Sequence, residues 1–245
     1  VMGYSIDISD DGKHVLIGTP NYNYSSNPFT GFAYYFYDYG NNAYTAYVTL
    51  GLADYRSNYY TGWDVAISGD GTRAVILSRM GQAYVYRLNN GSSTLETTLF
   101  FTAVSTEGPS VAINKTGDVI SIGTPLVDSG KVIIWRRSGT TWSNTPVILA
   151  PVNLVTGDQF GISVSFNGTG TMLAVGAIGA TRSGYSALGS VYIYTYNGTA
   201  WILNSEILPS LKVNGTYFGR KVTLNESGNS LVVGNDVKNK CYFYK

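Results

Sequence analysis

Hydrophobic and polar residues alternate with a period of two along most of the chain, and the alternation comes in short bursts closed by Gly, Asn, Ser or Asp. That pattern, with β-branched and aromatic residues filling the apolar positions, predicts short antiparallel strands; no stretch carries a 3.6-residue period. One phrase recurs five times: a glycine, a short alternating run, a glycine turn, then an apolar run that ends in glycine in four copies. It runs from Gly3-Tyr4-Ser5-Ile6 to Val15-Leu16-Ile17-Gly18, and from Gly62-Trp63-Asp64-Val65 to Ala74-Val75-Ile76-Leu77. The later copies open at Gly108, Gly161 and Gly219 and close at Gly123, Gly176 and Gly234.

Each copy continues into an aromatic third run (Phe32–Tyr37, Ala83–Tyr86, Val132–Trp135, Val191–Tyr194, Cys241–Tyr244). Four copies add a fourth, near Tyr44–Leu50, Thr94–Phe101, Trp142–Ala150 and Trp201–Leu208. Four antiparallel strands repeated about every 50 residues are the mark of a β-propeller blade. The fold expected is therefore all-β, a single propeller domain over residues 1–245. Its repeats fall at about 3–52, 62–101, 108–151, 161–209 and 219–245. The last blade lacks its outer strand, and five blades of a larger ring is the rival reading. Within the first run, large residues (Trp63, Val65, Ile67) share one face and small or polar ones (Asp64, Ala66, Ser68) the other. Large against small lets neighbouring sheets interdigitate.

The motif resembles the FG-GAP repeat of integrin α-chain propellers and their relatives. Phe160-Gly161-Ile162-Ser163-Val164 followed by Leu173-Ala174-Val175-Gly176-Ala177 is the fullest copy. Phe218-Gly219 repeats its first half, and Gly18-Thr19-Pro20 and Gly123-Thr124-Pro125 resemble its second; Thr61 and Glu107 stand where copies two and three would have Phe. The resemblance implies ligand binding on the face that carries the longer loops, and in some members calcium in the first turn. The acids needed for calcium are thin here: copy one keeps Asp7, Ser9 and Asp11, but Val15 replaces the last, so no cofactor or metal is expected.

Charge and composition narrow the partners. The 245 residues carry 16 Lys+Arg against 15 Asp+Glu, without a basic block, so neither nucleic acid nor an anionic membrane is the expected partner. No apolar run is long enough to span a bilayer, and one cysteine makes no internal disulfide. Cys241 reads as a small core residue. Seven Asn-x-Ser/Thr sequons, at Asn23, Asn90, Asn114, Asn167, Asn197, Asn214 and Asn225, are candidate glycosylation sites. Asn90, Asn114, Asn167, Asn197 and Asn225 fall in turns of one face; tight-turn chemistry is the competing explanation.

The opposite face has the longer, aromatic loops. Tyr22, Tyr24, Tyr55, Tyr59, Tyr60, Arg182 and Tyr185 are the candidate ligand-binding residues, because tyrosine joins a flat apolar ring to a hydrogen-bonding tip. The function expected is non-catalytic recognition or adhesion toward a protein or glycan ligand, on a cell, outside it or on a virion. An architectural unit of a filament, matrix or virion is one alternative, with assembly into a larger surface structure. A glycoside hydrolase is the other, with Asp7 and Asp64 as paired carboxylates in a central channel and Lys221 at the repeat position of Asp64 in blade five. The lone His14 begins a second strand, with exposure or packing as its default.

Overall fold

A computed structural model describes residues 2–23, 27–40, 44–51, 57–102, 108–235 and 240–245, with the side chains of 45–47 left aside. Every regular element among them is a β-strand. The chain is a β-propeller built from five antiparallel blades, and it divides into two compact units, Val1–Gly117 and Asp118–Lys245.

The first unit contains a blade of β1 (Ile6–Ile8), β2 (His14–Gly18), β3 (Ala33–Asp38) and β4 (Tyr44–Leu50), paired in chain order. A second follows, with β5 (Val65–Ile67), β6 (Arg73–Leu77), β7 (Gln82–Asn89) and β8 (Ser92–Phe100), and then β9 (Ser110–Ile113). The division falls in the first turn of the third repeat, so the rest of that blade lies in the second unit. There run β10 (Val119–Thr124), β11 (Lys131–Ser138), β12 (Thr141–Trp142) and β13 (Val147–Leu149). The fourth blade comprises β14 (Phe160–Phe166), β15 (Met172–Ala177), β16 (Ser190–Tyr196) and β17 (Trp201–Ile207). The fifth has three strands, β18 (Lys221–Leu224), β19 (Leu231–Gly234) and β20 (Cys241–Tyr244).

The outer run expected as one strand over 142–150 is broken into β12 and β13. Ser143 Oγ accepts from the Thr145 amide at 3.2 Å, and Pro146 has no N–H for the ladder. Cys241 is exposed rather than packed in the core. It lies on β20, the outer strand of the three-stranded blade, where no fourth strand covers it.

The motif glycines are explained by contact between successive blades. A Cβ on Gly18 would stand 2.2 Å from the carbonyl oxygen of Gly62, and one on Gly176 would stand 2.0 Å from that of Gly219. The closing glycine of one copy thus lies against the opening glycine of the next, at a separation that no side chain permits. The phenylalanine before the opening glycine packs inward. Phe160 and Phe218 are fully buried, each edge-on to aromatic rings of its own third strand, Tyr192 at 5.3 Å and Tyr242 at 5.1 Å.

A second repeat-spaced device sits on the small face of the first strands. Asp64 Oδ2 accepts the Val111 amide at 2.9 Å, and Ser163 Oγ accepts the Val222 amide at 3.0 Å. Two residues on, Asp7 Oδ2 accepts from Ile67 N at 2.8 Å and Ser165 Oγ from Leu224 N at 3.0 Å. The first strands β5, β9 and β18 are edge strands, and in each the preceding blade satisfies outward N–H groups through side-chain oxygens. On β1 this device has no counterpart among the described residues. Ile6 and Ile8 are 60% and 52% exposed, whereas Val65 and Ile67, at the same repeat positions, are 4% exposed each.

Candidate ligand face

In the first unit, the loop leading to β3 and the segment leading to β5 are stitched together by their backbones. The amides of Asn58, Tyr60 and Thr61 donate to the carbonyls of Pro28, Phe29 and Thr30 at 2.9, 2.9 and 3.0 Å. The Arg79 amide, in the turn after β6, donates to Tyr59 O at 3.0 Å. Tyr60 adopts φ 50°, a conformation that Gln159 (59°) and Tyr217 (52°) share two residues before their own motif glycines. A strained left-handed residue that recurs at one repeat position belongs to the scaffold rather than to a particular site.

On this frame five groups stack in succession. Phe29 lies on Tyr60, with ring centroids 5.2 Å apart and planes 17° from parallel. The Arg79 guanidinium carbon sits 4.8 Å from the Tyr60 ring and 4.5 Å from the Trp63 ring, and Trp63 meets Tyr4 at 4.7 Å. The guanidinium therefore lies over two aromatic rings, a cation–π arrangement that orients it. Tyr22 is 45% exposed, and its ring meets Phe32 edge-on at 4.7 Å.

The second unit treats its candidates differently. Arg182 Nε is 2.6 Å from Glu206 Oε1, its Nη2 donates to Tyr192 Oη at 2.5 Å, and Asp158 lies 3.7 Å away. Burial alone would lower the Arg182 pKa, but the hydrogen bonds with Glu206 and Tyr192 outweigh it and raise the value. This arginine is held by partners inside its own blade. Tyr185, which closes a tight turn on the Arg182 carbonyl, is 36% exposed. Tyr24 and Tyr55 lie outside the described residues.

Sequence reasoning missed Arg79, and it passed over Phe29, Tyr4 and Trp63 as site residues. Arg79 had a readable signal: it takes the position that holds Pro20, Pro125 and Ile178 in other copies. Of its two ring partners, Tyr60 was legible as an aromatic loop residue, whereas Trp63 carried no signal, because the stack joins segments far apart in the chain.

The carboxylates considered for hydrolysis are engaged elsewhere. Besides Ile67 N, Asp7 accepts from Ile8 N at 2.9 Å; Asp64 accepts from Ser5 Oγ at 2.6 Å and from Val65 N at 3.1 Å as well as from Val111. Lys221 is exposed. Asp11 Oδ1 accepts from Ser9 Oγ and the Lys13 amide, closing the first turn on itself. No three His, Cys, Asp or Glu side chains group for a metal ion among the described residues.

The sequon asparagines differ in their surroundings. Asn114 and Asn167 are 2% and 7% exposed, and their Nδ2 groups donate to Thr116 and Thr169 Oγ1 at 3.0 Å each. Asn23, Asn90, Asn197, Asn214 and Asn225 are exposed. Asn23 Oδ1 accepts from Phe29 N and Asn214 Oδ1 from Ser186 N, so even exposed members brace loops.

No curated protein matches the chain. Residues 142–194 match the FG-GAP repeat family. The matched stretch starts on the outer strand of the third blade and ends on the third strand of the fourth, so it contains the Phe160-Gly161 and Gly176 elements whose contacts are described above. The chain is a β-propeller by its blade topology, and its residues 142–194 are similar to the FG-GAP repeat.

Proposed function

We propose that the protein is a non-catalytic recognition module that holds a protein or glycan ligand on its aromatic loops. FG-GAP propellers serve in general as recognition or adhesion modules, and the observation that carries the reading here is the loop-borne stack of Phe29, Tyr60, Arg79, Trp63 and Tyr4. Rings presented flat on a backbone-stitched frame bind with little further ordering, which favours affinity. Exposed Tyr22 adds contact surface in the same unit, Tyr24, Tyr55 and Tyr59 belong to the same class of loop residue, and Tyr185 is an exposed loop tyrosine of the second unit. Arg182, with its acids beside it, acts as a brace for its loop. An extracellular, cell-surface or virion-surface setting suits this role, with glycans on the exposed asparagines. The reading is tested with glycan and protein libraries. Tyr22→Ala and Tyr60→Ala should abolish the hits, and hits that survive both substitutions place the ligand elsewhere.

The architectural alternative draws on one observation, the bare apolar face of Ile6 and Ile8 on β1. It predicts that polar substitutions there block assembly while loop substitutions do nothing. The hydrolase alternative is addressed by Asp7→Asn and Asp64→Asn. Both carboxylates accept backbone amides, so the expected effect is lost stability, and loss of a glycosidase activity by folded variants would overturn the non-catalytic reading.

A further inference from the structure

Most of the buried and partly buried arginines have partners. Arg73 pairs with Glu96 at 2.9 Å and Arg182 with Glu206; Arg136 donates through Nη2 to Gly170 O at 3.1 Å, although its Nε has no acceptor, and Arg137 and Arg220 have interactions of their own. The Arg79 guanidinium has no acceptor among the described residues, and its Nε is fully buried without one. With the guanidinium lying over the Tyr60 and Trp63 rings, its N–H donors are left for a partner that approaches in its plane. A desolvated donor without an acceptor is unfavourable, and the planar fork matches a carboxylate in two-point contact. The cation is also specific to this blade, since the same repeat position is Pro20, Pro125, Ile178 or Asp236 in the other four copies.

From this we infer that Arg79 is an anchor for a carboxylate group on the ligand, and that the ligand is an acidic saccharide of the uronate type. The inference rests on the recognition reading and sharpens it. Aromatic rings beside the cation decide for a sugar. Tyr22 and Phe29 are 45% and 39% exposed, and such rings suit the C–H faces of a pyranose while Arg79 takes its carboxylate.

The test titrates the whole chain with a galacturonate oligomer, its methyl ester, poly-glutamate and dextran sulfate. Trp63 reports locally, because it is only partly buried, whereas Trp135, Trp142 and Trp201 are 4%, 6% and 8% exposed. The acid oligomer should bind with a change in Trp63 fluorescence, and the ester at least tenfold more weakly. Arg79→Gln should lose about tenfold or more, the scale of one charged contact (about 1.4 kcal/mol per tenfold). Arg79→Lys should fall between, and Arg87→Gln, an exposed arginine on β7, should leave binding unchanged. Equal binding of acid and ester, or no effect of Arg79→Gln in a folded variant, overturns the inference while the recognition reading stands. Preference for dextran sulfate overturns the carboxylate, and preference for poly-glutamate the saccharide. Binding of none of the four overturns it too, whereas the recognition reading falls only if the libraries also give no loop-dependent ligand.

Discussion

Ser163→Ala tests the device that joins successive blades. The serine is 2% exposed and its Oγ accepts the amide of Val222, itself 3% exposed, at 3.0 Å. The substitution removes one oxygen and almost no volume, so the cavity contribution is small and the consequence is a buried N–H without a partner. Leaving such a donor unsatisfied costs about 1–3 kcal/mol. For a chain of this length, that corresponds to a fall in Tm of roughly 2–12 °C, at about 2–4 °C per kcal/mol. Thermal and urea melts give the total. Hydrogen exchange at the Val222 amide gives the location, since its protection should drop more than that of amides inside the β18–β19 ladder. Ser165→Ala, at a partly exposed site that serves Leu224 N, should show a smaller effect in the same direction. The chain offers a natural comparison: alanine already stands at that repeat position as Ala66, and Ile113, two residues beyond Val111, is only partly buried. An unchanged Tm together with unchanged Val222 protection would refute the account of these side chains as amide acceptors.

Other consequences follow from the same geometry. Gly176→Ala should destabilise by about 3 kcal/mol or more, because the new Cβ would meet Gly219 O at 2.0 Å and the φ at this glycine is not positive, which leaves steric contact as the cause; a variant that melts with the wild type would contradict this. Ile67→Ala should cost about 2–5 kcal/mol and Ile8→Ala under about 1 kcal/mol, since exposure at the shared repeat position is 4% against 52%; equal losses in urea melts would mean that Ile8 is covered in solution. His14 is buried with Nδ1 2.9 Å from Tyr35 Oη, and burial lowers its pKa against the pull of Asp11 and Asp70. The unfolded histidine then binds its proton first, so its contribution is complete above about pH 6.5 and is lost as the pH falls through the lower folded value. The stability slope between neutral pH and that value should flatten in His14→Gln, and an identical slope would assign the dependence to other groups.

The sequence by itself determined the repeats, the strand character of nearly every element and the missing outer strand of the last blade. These features are written locally: alternation of period two, aromatic and β-branched residues, and turn residues at fixed offsets need no knowledge of distant neighbours. It also marked the aromatic loops as the candidate site, including Tyr22, Tyr60 and Tyr185. The roles of the individual candidates were decided by the tertiary structure. Arg182 looked available in sequence and is held by Glu206, whereas Arg79 went unnoticed and proved to be the arginine that lies over two rings. Asp7 and Asp64 looked like a carboxylate pair and turned out to accept amides from neighbouring strands. Ile8 and Ile67 are the same residue in the same motif, yet one is exposed and the other buried. In each case the deciding partner lies tens of residues away or in the next blade. A repeat fixes which way a side chain points from its own strand, but the group that meets it there comes from a distant part of its own blade or from the next, and is set only when the strands and blades pack.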